Sequence, residues 1–324
     1  MKNEIKIFVS KDWKYYELLD TGEGEKLEKF GPHTFVRPHE DAVWKKTLGE
    51  KEWNKAVGKF WSSKAGAKAG WKMKGKIEDK WEIEYKGVKF LASPTPFRHL
   101  SFFPEQASHW DFIEREIAEA AKQKKNSLAF LHPSDGTFRQ QNSSSASSAS
   151  KPKFLNLFGY TGVASLFALR AGAEVTHLDA SKQSLKWAKD NQQLNADLAD
   201  APMRIIEDDV IKFLEREIKR GNKYDAIIMD PPKFGRGPKG ETWKIEESLP
   251  KLLSLVRKVL SDKPLFVILT SYATDSSSLS LGYALEDAMK GFSGNVEAGE
   301  LCVLEKSHDR IIPLANTAVW SKIE

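Results

Sequence analysis

Tyr224-Asp-Ala-Ile-Ile-Met-Asp230-Pro-Pro-Lys-Phe234 is the stretch that decides how this chain is read. Its first six residues form a short apolar run closing on an acid, the pattern of a buried strand. Two consecutive prolines cannot continue a strand or donate backbone hydrogen bonds. They stiffen a loop where the strand stops and leave Asp230 at its carboxyl end, where open α/β sheets bind ligands. The plainer alternative is that the prolines do no more than end a strand.

Working outward, Phe154-Leu-Asn156-Leu-Phe158-Gly159-Tyr160-Thr161-Gly162 reads as a strand breaking into a glycine turn. Glycine there lets backbone approach a ligand and adopt positive φ. The helix that follows offers unpaired N–H groups to an anionic group. Val175-Thr-His-Leu-Asp179 is the next strand, and its acid stands where two ribose hydroxyls can be bound. A dinucleotide fingerprint wants G-x-G-x-x-G, whereas this turn has only G-x-x-G, which disfavours a pyrophosphate. Ala180 and Ser181 follow, with Ser181 a suitable N-cap. Asp208 and Asp209 close the third strand. Asp209 is a candidate for an adenine amino group and equally for the N-cap of the helix beginning at Val210.

From Lys153 the pattern is strand then helix, repeated. Strands are expected at 154–158, 174–178, 204–206, 226–229 and 265–270, and helices at 162–171, 181–194, 210–220, 245–260 and 279–291. The last two strands, 299–306 and 311–320, form a hairpin that adds an antiparallel edge. Ahead of the glycine turn, a helix over 108–124 presents Trp110, Ile113, Ile117 and Ala121 on one face. The serine-rich stretch 134–151 has nothing to bury and reads as a flexible surface loop.

The chain has 324 residues and 40% hydrophobic content, enough for two domains. Residues 1–95 read as a small, mainly β N-terminal domain and 96–324 as the larger α/β domain. Within the first, Glu40 to Lys74 is ambiguous, since Gly58, Gly66 and Gly70 argue for loops. No run of about 18 apolar residues exists, so no membrane helix is expected. The amino end lacks an apolar signal segment, and a cytoplasmic protein follows as the default. The net charge is +5, unevenly spread: ten lysines stand against two glutamates between Trp44 and Lys76. With Trp44, Trp53, Trp61 and Trp71 among them, the run reads as an RNA-binding surface or as a solvated face over an aromatic core. The single cysteine, Cys302, excludes an intramolecular disulfide and a cysteine-built metal site. It reads as a small buried hydrophobe rather than a nucleophile. No metal is expected. His308, Asp309 and Arg310 on the hairpin turn do not make a hydrolase triad, since no serine elbow accompanies them.

Taken in order, these motifs resemble the class I methyltransferases that act on ribosomal RNA. The branch most similar is the large-subunit cytosine-5 methyltransferase-like family, whose DPPKF signature matches Asp230 to Phe234. Phe102-Phe103-Pro-Glu-Gln106 with Trp110 resembles that family's segment covering the cofactor, which adds Phe103 and Gln106 to the cofactor contacts. The resemblance spans about residues 95–320. It implies a Rossmann-like sheet of seven strands with the last reversed, S-adenosyl-L-methionine as methyl donor, and RNA as partner. Cofactor contacts would come from Phe103, Gln106, Asn156, Phe158, Gly159, Tyr160, Thr161, Gly162, Asp179, Ala180, Ser181, Asp208, Asp209 and Asp230. Asp230, Pro231, Pro232 and Phe234 would carry the reaction, with Phe234 stacking on a flipped base. Lys233, beside Asp230, is a candidate substrate contact, and Arg236 and Lys239, in the glycine-rich loop 235–240, are candidate RNA phosphate ligands, the alternative being a merely flexible loop.

One departure redirects the chemistry. Carbon-5 methylation needs a cysteine thiolate to activate the base. In the relatives that residue follows the fifth strand, yet here the stretch reads Ile268-Leu-Thr-Ser-Tyr272-Ala-Thr. A nitrogen acceptor, which already has a lone pair, is the better expectation. The alternatives are methylation of a protein or small molecule, and an RNA-binding protein without activity.

Overall fold

A computed structural model describes residues 4–61, 69–129, 151–272 and 276–323, with backbone alone for 124–129. The proposed loop at 134–151 lies outside these residues except for Lys151.

An eight-stranded sheet organises the molecule. Its order is Ile5–Ser10, Gly294–Leu304, Ile311–Lys322, Phe266–Ser271, Ala226–Met229, Lys153–Leu157, Glu174–Asp179, Met203–Glu207. Ile311–Lys322 runs antiparallel to both neighbours, and the other pairings are parallel. The central strands Phe266–Ser271 and Ala226–Met229 are buried along their whole length. Continuous apolar runs such as Ala-Ile-Ile-Met are what a strand covered on both faces requires. Helices Val163–Arg170, Lys182–Gln193, Val210–Arg220, Ile245–Val259 and Ser278–Ala288 supply the cover. The expected alternation therefore holds to within a few residues at each end.

The seven expected strands become eight because Ile5–Ser10 joins this sheet. It pairs with Ala298–Val303, so the C-terminal hairpin is not the edge. Gly299 makes the pairing close: a Cβ there would strike the Lys6 carbonyl. The strand's alternating pattern reads as half-buried, yet Ile5 and Ile7 are exposed and only Ser10 is buried, and its partners lie at the far end of the chain.

The rest of the N-terminal part forms a five-stranded sheet, Tyr16–Gly22, Glu25–Phe30, His33–Pro38, Gly58–Trp61 and Gly70–Met73, followed by the hairpin Trp81–Tyr85 with Val88–Ala92. Gly58 and Gly70, read as loop signals, instead begin strands. The reason is packing: a Cβ on Gly58 would collide with Met73 Sδ and the Phe35 ring.

One apolar core runs through both parts. Phe30, Phe35, Trp81 and Phe90 belong to the same cluster as Phe102, Trp110, Phe154 and Phe167. Trp110 stacks on Phe167 at 5.5 Å and thereby seats the helix Ala107–Ala129 on Val163–Arg170. On that helix Trp110, Ile113 and Ile117 are buried as expected, with Ala120 in place of Ala121. Each large apolar side chain buried in this way contributes about 1.5–3 kcal/mol. A cut at residue 95 passes through this core. Backbone hydrogen bonds from Lys306 and Ser307 to Leu18 and Leu19 tie the N-terminal sheet to the C-terminal hairpin turn. Among the described residues no helix is long and apolar enough to cross a membrane.

Candidate active site

The carboxyl ends of the central strands open into two adjoining cavities. The smaller, about 60 Å³, is walled by Gln106, Asn156, Gly159, Thr161 and Gly162. The larger, about 500 Å³, is walled by Asp179, Ala180, Ser181, Asp208, Asp209, Pro231, Pro232, Lys233 and Arg236. Phe103, Phe158, Tyr160 and Asp230 line both. The structure thus brings together all fourteen expected cofactor contacts.

The glycine turn is held under strain. Phe158 and Tyr160 have φ of 58° and 50°, and Gly162, the N-cap, has φ of 83°. Left-handed backbone at non-glycine residues is uncommon and persists only when its surroundings enforce it. Two contacts do so here. The Tyr160 N–H donates to Asp179 Oδ2 at 2.9 Å, and Gly159 presses on the His177 ring, leaving no room for a Cβ. His177 is itself held by Ser165, which accepts from Asn156 Nδ2 at 2.9 Å. Asn156 is thus a strut beneath the turn as well as part of the cavity wall. Thr161 donates to the Ser101 carbonyl at 2.7 Å and pins the turn to the covering segment.

Asp179 also accepts from the Ser181 N–H at 2.8 Å. Burial raises its pKa against these backbone hydrogen bonds. Each carboxylate oxygen has a further lone pair to offer, so the residue suits two ribose hydroxyls. Ser181 caps the next helix as expected, accepting from Ser184 N. Asp209 caps the helix from Val210 by accepting from Lys212 N at 3.0 Å, so of its two readings the capping one is satisfied by the fold. Asp208 is paired with Arg216.

Asp230 lies at the cavity floor. Burial, and secondarily the charge of Glu105, push its pKa well above the ordinary aspartate range. Among the described residues no cation pairs with it. Gln106 Nε2 reaches it at 3.5 Å and meets the Tyr272 hydroxyl at 3.1 Å. The orientation of Gln106 is set from behind, where His109 Nδ1 lies 2.9 Å from its Oε1. Burial lowers the His109 pKa to about 3, so the ring is neutral. With Nδ1–H donating to Gln106, Nε2 is left as an acceptor 3.2 Å from the Thr317 hydroxyl, whose one proton is also within reach of the Leu269 carbonyl at 3.1 Å.

Two expected residues fall elsewhere. Phe234 is 62% exposed and stands outside both cavities, on the short ribbon Phe234–Arg236 with Thr242–Lys244. Lys239 lies on that ribbon's exposed turn, its N–H donating to Glu241. The glycine-rich segment is a hairpin, and in a strand alternate side chains face opposite ways. Lys233, Gly235, Arg236 and Gly237 line the cavity and Phe234 does not, so alternation alone does not sort them.

The sequence reading missed Trp243, Tyr272, Arg98 and His99, all of which line the larger cavity. Trp243 donates its indole N–H to the Pro232 carbonyl at 2.6 Å and fixes the proline loop. Tyr272 follows the strand Phe266–Ser271, so the rule that located Asp230, the carboxyl end of a central strand, also pointed to it. Cys302 is buried, and burial raises its thiol to about 12. Among the described residues no cluster of His, Cys, Asp and Glu is arranged to hold a metal.

A family model of S-adenosylmethionine-dependent methyltransferases matches residues 102–262. The fold superposes on the crystal structure of the SAM-dependent methyltransferase from Agrobacterium tumefaciens with a TM-score of 0.83 and 36% identity, covering 98% of this chain and 94% of that one. A Streptococcus mutans methyltransferase structure shares the fold alone, with a TM-score of 0.68 at 13% identity over 96% of this chain and 76% of that one. Ribosomal RNA large subunit methyltransferase K/L of Pseudoalteromonas translucida is 38% identical over 115 residues, 35% of this chain and 16% of that protein. Ribosomal RNA large subunit methyltransferase K of Neisseria meningitidis serogroup B is 32% identical over 147 residues, 44% of this chain and 41% of that protein. The matches span less than half the length of these two curated relatives.

Proposed function

The chain belongs to the S-adenosylmethionine-dependent methyltransferases, and on that premise we propose that it methylates a base of large-subunit ribosomal RNA, at nitrogen, in the cytoplasm. The observation that carries the acceptor chemistry is Asp230, a carboxyl at the cavity floor with a raised pKa and no cation beside it among the described residues. The residues fit the cofactor. The fourteen expected contacts line the two adjoining cavities, and Asp179, which accepts from the Tyr160 and Ser181 N–H groups, keeps lone pairs for two ribose hydroxyls. Bound S-adenosylmethionine supplies a methyl group on a sulfonium, which departs as a neutral thioether.

The acceptor nitrogen uses its lone pair to form the new bond to carbon and must then shed a proton. Asp230 is placed to take it, and its raised proton affinity suits the task. The carbonyl of Pro231 is available to orient an exocyclic amine, whereas that of Pro232 is taken by Trp243. Cys302 supports nitrogen over carbon 5, since a thiol buried on strand Gly294–Leu304 and raised to about 12 cannot present a thiolate to a base. RNA is supported by the names of the curated relatives and by the lysine-rich segment after Trp44. Arg236 at the rim offers a phosphate contact.

The test is label transfer from tritiated S-adenosylmethionine to unmodified large-subunit ribosomal RNA, comparing wild type with Asp230→Asn. Label in RNA with wild type alone, recovered in a nitrogen-methylated nucleoside, is the expected result. No label in that RNA, despite cofactor binding, removes it as the acceptor. A carbon-5 product removes the role given to Asp230.

A further inference from the structure

We propose that a third cavity, between the N-terminal sheet and the methyltransferase sheet, receives the acceptor base, with Lys26, His39 and Glu105 meeting its polar edge. The proposal rests on the reading that the chain methylates RNA. The cavity holds about 360 Å³, within the span of about 300–1,000 Å³ typical of small-ligand sites. Both parts of the chain build it: Lys26 and His39 from the N-terminal part, Glu105 from the turn before the long helix, and Ala315 and Asn316 from the reversed strand. Arg98, His99, Phe103 and Tyr272 line this cavity and the larger cofactor cavity alike. The two spaces therefore share a wall, and one of its members, Tyr272, meets Gln106 Nε2, which also reaches Asp230.

His39 is the observation that points to a ligand. It is 8% exposed, and its Nε2 is buried with no hydrogen-bond partner among the described residues. Its backbone needs no help from the ring: the N–H donates to Gly24 at 2.8 Å and the carbonyl accepts from Ala42 at 3.0 Å. A buried polar nitrogen without a partner costs stability, and a ligand hydrogen bond removes that cost. Burial, then the charge of Lys26, lower the His39 pKa to about 4, so the ring is neutral and carries one donor and one acceptor.

The surrounding groups narrow the ligand class. Lys26 is a buried donor, 3.3 Å from Glu28. Arg37 is committed to the same Glu28 through two hydrogen bonds of 2.7 and 2.8 Å. Glu105 is buried, and burial raises its pKa. Glu40, Asp41 and Glu300 complete an acidic margin that opposes a phosphate. An uncharged planar ring with donors and acceptors along its edge fits such a set. Phe103, with His99 and Tyr272 rings each 4.8 Å from its own, offers an apolar face for that ring. A base turned out of an RNA strand has these properties.

The test uses the full chain and transcribed, hence unmethylated, large-subunit ribosomal RNA. His39→Leu removes the free nitrogen, and Ala315→Phe fills the cavity from the opposite wall. Binding of S-adenosylhomocysteine by calorimetry, RNA affinity across a salt series, thermal melting and single-turnover transfer at saturating RNA are measured for both. Affinity for cofactor product and RNA is expected to stay within about twofold, because phosphate contacts dominate RNA binding. The single-turnover rate is expected to fall by about tenfold or more, the size of one lost hydrogen bond at the reacting base. Active wild type with an unchanged rate in folded His39→Leu overturns the pocket and leaves the RNA reading intact. Wild type that binds S-adenosylhomocysteine but transfers nothing to this RNA overturns the RNA reading and the pocket with it. Should Ala315→Phe fail to fold, His39→Leu decides alone.

Discussion

Glu28 and Asp230 are carboxyls in two regions of one molecule, and they are treated in opposite ways. Glu28, fully buried in the N-terminal sheet, accepts from Arg37 twice and from Tyr16, with Lys26 alongside. These charges and hydrogen bonds overcome burial and lower its pKa to about 2. Asp230, at the end of a central strand, has burial and the charge of Glu105 acting on it and no compensating cation among the described residues, so its pKa rises. A charge that holds sheets together is surrounded by partners. A charge kept for chemistry is left poised to bind a proton.

The largest expected effect breaks the second half of that contrast. Asp230→Asn lowers methyl transfer by about 10²–10⁴-fold, the usual worth of a positioned proton acceptor, measured as initial rate at saturating cofactor. The sign for stability is opposite to that for activity. A folded-state pKa raised above the unfolded value gives stability below the ordinary aspartate range that is lost as pH rises through the folded value. The amide variant should therefore melt at or above the wild-type temperature at pH 8. A large drop in melting temperature there would mean that Asp230 is a structural acid after all. Wild-type transfer should also fall on acidification at a higher pH than an ordinary aspartate gives.

Glu28→Gln breaks the first half. It leaves Arg37 and Lys26 buried without their counter-charge and should cost about 3–5 kcal/mol, read from urea unfolding. Because the folded pKa is depressed, the contribution of Glu28 is present above about 4.5 and is lost as pH falls toward about 2. The variant should lack that portion of the acid dependence, and equal acid slopes in both proteins would count against the ion-pair account.

Gly159→Ala comes next. The added methyl meets the His177 ring, so affinity for S-adenosylhomocysteine should fall, and His177→Ala in the same chain should restore part of it. The coupling should lie between about 0.5 and 3 kcal/mol, as for residues in contact. Additive losses would show that the ring does not set the turn. Smallest of all, Cys302→Ala should leave transfer unchanged and cost no more than about 1 kcal/mol in stability. Loss of transfer in a well-folded variant would reopen carbon-5 chemistry.

How much of this was legible in the sequence depended on distance along the chain. The glycine turn, Asp179 and Asp230 each announce themselves within a few residues, because strand ends and turns are local events. Trp243 and Tyr272 gave weaker signals, since their roles depend on Pro232 and Gln106, far away in sequence. Phe234 was misplaced because the segment after it reads as a loop by its glycines, yet it pairs as a ribbon and turns the ring outward. Gly58 looked like a break because glycine signals flexibility and close packing with the same letter. Lys26 and His39 are an ordinary lysine and histidine until the fold sets them opposite Glu105.

The pairing of Ile5–Ser10 with Ala298–Val303 also bears on how the protein is made. On a ribosome the first strand emerges before almost every residue it will pair with, and it must wait unpaired while nearly three hundred more are added. Contacts so distant in sequence are slow to form, and an open strand edge invites wrong partners in the interval. The large sheet cannot be completed until Gly294–Leu304 has been made, so its outer strand docks late. Emergence of Gly294–Leu304, rather than of the cofactor motifs, is then the event that lets this strand dock.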